Sequence, residues 1–368
     1  MKRILIFVCL FFCLFSFVAN AETYTFEQFE SQTDLVVDIS GFDMPDDVES
    51  LLNLENTISS TTLLDIVSGD GLAKIYDYIL AKITVPLKFT VTTLVAIIIS
   101  ALIKSAENFT RHNDVIEFVL SLIFICVCTS SMISVIRDCA KAVGSIGVFM
   151  FSFIPVFMAI IASTLKTGVA AGTSNSLFLC AQIINSAANK IVIPLSSASL
   201  ALGISSGLSG ERLKGLSSGI KKCVTFCLSL LTTIFLGILT IKTAVFSIGD
   251  STTLKTAKFL SGSFIPVAGS AIGDMLSGLL YCITTLRSTV GILGIIIVLL
   301  IILPTIAQLI VFKFCTSICS FACSVFSETS AEKIMLAFSD TLSILLAISI
   351  ISAIMCIFSI TILILGCG

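Results

Sequence analysis

Charge is scarce in this sequence. Asp, Glu, Lys and Arg together make up 12% of its 368 residues, against about 25% in ordinary soluble domains. With 21 basic and 23 acidic residues the net charge is −2, so neither a nucleic-acid binder nor a polyanion is indicated. Histidine is almost missing as well. The single one, His112, sits beside Arg111 and close to Asp114, where a solvated loop is the natural reading. The chain has no Walker A loop, no HExxH pair, no G-x-S-x-G elbow and no Cys-His pair with supporting context. ATP hydrolysis and hydrolase chemistry are therefore excluded. No enzyme is expected, and no cofactor.

What is present is apolar. The hydrophobic fraction is 56%, more than a water-soluble globule of this length has core to hold. The chain reads as a polytopic membrane protein, a transmembrane bundle of the all-α class.

The near-neutral total hides an asymmetry. Residues 22–77 carry many acids and one base, Lys74, whereas bases outnumber acids from residue 78 onward. An acidic extracytoplasmic segment, 22–80, thus precedes a mildly basic polytopic domain, 81–368. Ahead of both, residues 1–21 read as a secretory signal peptide. Lys2 and Arg3 form its positive start, Ile4 to Val18 its apolar stretch, and Ala19-Asn20-Ala21 a small-x-small cleavage site. The stretch is too short for a span of about 20 residues. Cleavage would leave Glu22 as the first residue and place the acidic segment outside the cytoplasm.

Within that segment, Leu51, Leu52 and Leu54, then Leu63, Leu64, Ile66 and Val67, suggest short amphipathic helices. Tyr76 and Tyr78 follow where the chain would approach the bilayer. Seven long apolar runs then lie near 85–103, 115–136, 142–165, 191–208, 223–248, 289–312 and 342–365. Two polar-studded segments, 174–189 and 264–286, bring the expected membrane segments to between seven and nine, and 313–327 reads as interfacial. Helices satisfy their own backbone at membrane depth, so all of these are expected to be helical. If all nine cross, the loop holding Arg212, Lys214, Lys221 and Lys222 faces the cytoplasm. Loop charges are otherwise nearly balanced, and orientation rests on the signal peptide.

Several positions stand out in the apolar runs. Ser-Phe-Ile-Pro-Val occurs at 152–156 and again at 263–267. Duplicated Pro-interrupted segments mark internal repeats in transporters, but the flanks here show no further likeness. After the second copy, Pro266 is followed by Gly269, Gly273 and Ser277 at four-residue spacing, with Asp274 beside them. Small residues so spaced let helices approach closely, and an acid at membrane depth is costly enough to suggest function. An interfacial acid capping a short helix is the alternative, and Lys242 is a possible countercharge. Asn185, Asn189, Lys190 and Pro194 cluster where two runs meet. A helical hairpin turn is the preferred reading there, and a polar cavity lining the other. Of the 14 cysteines, Cys315, Cys319 and Cys323 share one helical stripe. Lacking nearby histidine or acid ligands, they read as packing residues and not as a metal site.

Residues 189–313 resemble the stage III sporulation protein AE family of endospore-forming bacteria. The likeness is carried by Asn189-Lys190-Ile191-Val192-Ile193-Pro194-Leu195 and Phe235-Leu236-Gly237-Ile238. It is strongest from Lys255 through Pro266 and Val267 to Gly269 and Asp274, followed by Thr289 to Gly294 and Pro304. The order of signal peptide, acidic segment and polytopic domain also fits. The resemblance implies a non-enzymatic subunit in the mother-cell membrane around the forespore, within a channel or secretion-like complex that supports late forespore gene expression. It implies as partners the other membrane and ATPase subunits of the same operon, through them a forespore membrane protein, and the lipid bilayer, but no nucleic acid. A stand-alone secondary transporter with a midplane site around Asp274 is the competing reading.

Overall fold

The computed structural model describes residues 37–38, 57–58, 69–107, 113–162, 181–209, 214–249 and 269–365. Residues Val37–Asp38 pair antiparallel with Thr57–Ile58. Everything else described is helix or the turn between two helices. The segments read as short amphipathic helices at 51–54 and 63–67, and the signal peptide with Ala19, Ala21 and Glu22, lie outside the described residues.

Six long helices form the bundle: α1 Gly69–Glu107, α2 Asn113–Ala162, α3 Ile193–Ser209, α4 Lys214–Gly249, α5 Gly269–Val325 and α6 Thr329–Leu365. A helical stretch at 181–187 and a π turn, Ala188–Val192, lead directly into α3. Their hydroxyl residues fold back on the helix that carries them. Thr90 donates to the Pro86 carbonyl at 2.8 Å, Ser196 to Val192 at 2.7 Å, and Thr316 to Phe312 at 2.6 Å. Such bonds let polar residues sit in apolar helices without an unpaired group.

Each of the six rods contains a segment long and apolar enough to cross a membrane, counted among the described residues. That is fewer than the seven to nine segments suggested by the apolar runs, and the reason is merging. The runs at 115–136 and 142–165 join in α2, whose 50 residues extend about 75 Å at 1.5 Å per residue. Between them stand Arg137, Asp138 and Lys141 but no glycine or proline. Arg137 and Lys141 point outward, so charge does not break the helix. Likewise, 313–327 is not a separate interfacial segment over most of its length, but the last turns of the 57-residue α5.

Side-chain pairings give the direction of each helix. Gly203 faces Ala337 and Gly207 faces Ile334, so α3 runs against α6. Phe89 packs on Phe312 with ring centroids 4.7 Å apart, and Ser100 Oγ donates to Glu328 Oε1 at 3.0 Å, so α1 runs with α5. α1, α3 and α5 share one direction and α2, α4 and α6 the other. The start of α1 and the end of α6 therefore lie at the same end of the bundle.

The most buried pair is the α5–α6 hairpin. It closes through a Schellman arrangement: Glu328 N–H donates to the Cys323 carbonyl at 2.9 Å and Ser327 N–H to Ser324 at 3.2 Å. Ser327 takes the left-handed conformation this needs, with φ 58°. Phe149, Phe153 and Phe157 of α2 stack in series against the hairpin. A Cβ on Gly294 would lie 2.7 Å from the Phe153 ring, which is why α5 and α2 can approach here. Outward faces carry Val91, Ile99, Phe151, Phe226, Ile234 and Phe321, an apolar surface that suits lipid.

Candidate functional site

A polar layer crosses this apolar bundle near the middle of α2. The glycines Gly144 and Gly147 leave a shallow groove on α2, and the amides of the 181–192 stretch occupy it. A Cβ on Gly144 would lie 2.9 Å from Asn189 Nδ2, and one on Gly147 2.9 Å from Asn185 Nδ2. Asn185 is buried at 6% exposure. Its Nδ2 donates to the Val143 carbonyl at 2.9 Å, and its Oδ1 accepts from the Ser352 hydroxyl of α6. Gln182, on the same helical face, keeps a buried Oε1 with no partner among the described residues.

The π turn explains how these amides reach the groove. Pro194 follows it after one intervening residue, and in a regular α-helix its ring would collide with the carbonyl of Lys190. Widening the turn, with Ile193 N–H donating to Ala188 O, accommodates the ring and keeps the rod continuous. The cluster of Asn185, Asn189, Lys190 and Pro194 is thus not the helical hairpin turn preferred from sequence. Asn185 and Asn189 instead belong to a polar seam inside the bundle.

The layer continues around α2. Cys139 Sγ lies 3.3 Å from Ser349 Oγ of α6. Asp138 Oδ2 accepts from Gln308 Nε2 of α5 at 3.3 Å. Toward the hairpin turn, Thr93 Oγ1 and Cys128 Sγ are 3.7 Å apart. At the edge of α4, Lys221 Nζ and Asp340 Oδ2 form an ion pair of 2.5 Å. Asp138 and Gln308 were not singled out from sequence. The available signal was one acid in the short gap between two apolar runs and one amide within the run 289–312.

The residues proposed from sequence fall elsewhere. Gly269, Gly273, Asp274 and Ser277 occupy the first turns of α5, at a spacing that puts the three small residues on one face. Lys242 lies in the last turns of α4, and Pro266 is outside the described residues. The first copy of the repeated pentapeptide lies in α2, the second outside the described residues. Cys315, Cys319 and Cys323 form a buried stripe on α5.

Chemically the layer offers amides, hydroxyls, thiols and one carboxylate, held between apolar slabs. Such groups can order helices, hydrate a path or hold a small polar ligand.

The chain matches the family described as stage III sporulation protein AE over residues 53–367. It is also similar to the stage III sporulation protein AE of Bacillus subtilis (strain 168), 24% identical over 249 residues. That alignment covers 65% of this chain and 62% of the relative, so less than two thirds of the relative's length is spanned. No solved structure matches.

Proposed function

This chain belongs to the stage III sporulation protein AE family, and from that premise we propose that it serves sporulation as a non-enzymatic subunit of a channel or secretion-like complex. The complex would link mother cell and forespore and support late gene expression in the forespore. The observation that carries this reading is the polar layer of Asp138, Asn185, Gln308, Ser349 and Ser352, which joins four elements across the bundle. A protein serving only as an anchor has no need to bury such groups, each of which costs stability unless paired.

The partners are the other membrane and ATPase subunits of the same operon and, through them, a forespore membrane protein. Energy would come from the ATPase, since this sequence has no nucleotide loop of its own. The protein would lie in the mother-cell membrane around the forespore. Cleavage after Ala21 would leave residues 22–80 on the outer side, and the end of α6 would share that side. Pro266, Gly269, Gly273, Asp274 and Ser277 would act as a packing or pore element, with Lys242 as a countercharge.

The test is genetic. A strain lacking the gene should complete engulfment but fail to express a late forespore reporter, and the wild-type gene should restore it. Pull-down from sporulating cells should recover the operon's ATPase. Normal heat-resistant spore counts in the deletion strain would refute the reading. Failure to recover the ATPase would leave the sporulation role intact and refute the complex.

A further inference from the structure

Asp138 is a half-buried acid inside the bundle, with no ion pair among the described residues. Its one partner among the described residues is the Gln308 amide, and that contact uses only the nitrogen. The other end of the amide, Gln308 Oε1, is buried without a partner among the described residues, on a side chain 1% exposed. An orphaned carbonyl oxygen in a membrane interior is costly. Here it shares an amide group with a nitrogen 3.3 Å from a carboxylate.

One more oxygen belongs to the same stretch of α5. Thr305, one turn before Gln308, is buried. Asp138, Gln308 and Thr305 thus offer a carboxylate, an amide oxygen and a hydroxyl. All are hard oxygen donors, and nitrogen and sulfur ligands are absent from the set. This is the chemistry that replaces the hydration shell of a hard cation.

Charge decides which cation. The set carries one formal negative charge, on Asp138. A monovalent ion neutralises it, whereas a divalent ion would leave an uncompensated charge in a low-dielectric interior. The bases nearest in height are Arg137 and Lys141 on α2, Lys82 and Lys88 on α1, Lys190 in the π turn and Lys313 on α5, which stands five residues beyond Gln308 and about 140° round the helix from it. Arg137, Lys141, Lys88 and Lys190 point outward, and the Lys82 ammonium lies over the Tyr78 ring. From α5 and α6 the facing groups are neutral: Gln308, Thr305 and Ser349.

We propose that Asp138, Gln308 and Thr305 form a binding site for a small monovalent cation of the sodium class, within the membrane bundle. To bind it, the Gln308 amide turns so that Oε1 joins the carboxylate on the ion. The site gives the bundle a means of responding to a sodium gradient, and it does not depend on the sporulation reading.

The experiment uses the full chain purified in detergent, in choline chloride buffer at fixed pH. Sodium chloride is titrated at constant ionic strength, and both radiolabelled sodium binding and the thermal unfolding midpoint are followed. Saturable binding and a matching rise in the midpoint are expected, because a ligand held only by the folded state stabilises it. Asp138→Asn, which preserves size, should abolish both effects. Thr305→Val should weaken sodium binding by about 10- to 100-fold, the range seen when a metal's surroundings are altered. Helix content by circular dichroism confirms that each variant is folded. No saturable sodium binding would overturn the proposal. So would sodium binding retained by folded Asp138→Asn, or calcium binding more tightly than sodium.

Discussion

Asn185 and Ser352 meet inside the bundle, the serine hydroxyl of α6 donating to the asparagine Oδ1. The same amide reaches across to the Val143 carbonyl of α2 at 2.9 Å. One side chain thereby ties three helices at the height where the polar layer crosses.

Replacing Asn185 with Ala should therefore cost more than the lost volume. It leaves the Ser352 hydroxyl without its acceptor and the Val143 carbonyl without its side-chain donor, a penalty of about 1–3 kcal/mol for a buried polar group left unpaired. The unfolding midpoint of the purified protein should fall. Asn185→Ala combined with Ser352→Ala should be less destabilising than the sum of the two single changes, since the second removes a group already orphaned. Strict additivity would mean that the two residues do not interact.

Glycine positions offer a paired test of packing. At Gly294 an added Cβ meets the Phe153 ring at 2.7 Å and Ile360 at 3.4 Å. Gly294→Ala should destabilise by about 1–3 kcal/mol, as overpacked sites do. Gly237 lies on the outer helix α4, where an added Cβ meets nothing within 4 Å. Gly237→Ala should be neutral or slightly stabilising. Equal effects at the two sites in a chemical unfolding titration would contradict the packing of α2 against the hairpin.

The hairpin turn predicts a gain. Ser327 holds a positive φ of 58°, a conformation that costs a residue with a Cβ about 1–2 kcal/mol. Ser327→Gly should raise stability by about 1 kcal/mol, reduced somewhat by the greater freedom of glycine in the unfolded chain. A lower melting temperature for this variant would argue against the Schellman closure.

Lys221 and Asp340 test how α4 attaches. Their side chains are 28% and 54% exposed, so solvent or headgroups screen the pair and its contribution is small. Reversing one charge, Lys221→Glu, should still weaken the α4–α6 contact, and adding Asp340→Lys should restore it. Disulfide trapping between cysteines placed on the two helices reads the outcome. An unchanged trapping rate in the single reversal would show that the pair does not hold α4.

The stripe at the start of α5 remains a functional proposal with its own test. Gly273→Leu should disrupt assembly by forcing neighbouring helices apart. Asp274→Asn, which keeps the shape, should assemble yet fail to support sporulation after engulfment if its charge serves conduction. Wild-type spore counts in both variants would remove this stripe from the functional centre.

The sequence by itself determined the membrane class and the helical architecture. An apolar chain with little charge has no other economical way to satisfy its backbone in lipid, and runs such as 289–312 and 342–365 announce helices on composition alone. Tertiary structure alone decided helix continuity and the pairing of polar groups. Arg137 and Lys141 interrupt the apolar pattern and divide it into two runs, yet both extend outward from an unbroken α2. Pro194 looked like a turn because proline lacks a donor, yet a π turn carries the helix past it. Asp138 and Gln308 are 170 positions apart, and Asn185 and Ser352 are 167 apart. Hydrophobic periodicity reports which face of a helix is buried, but not which residue of another helix it will meet. That partner is set by helix direction and by the glycines that let the rods close on one another.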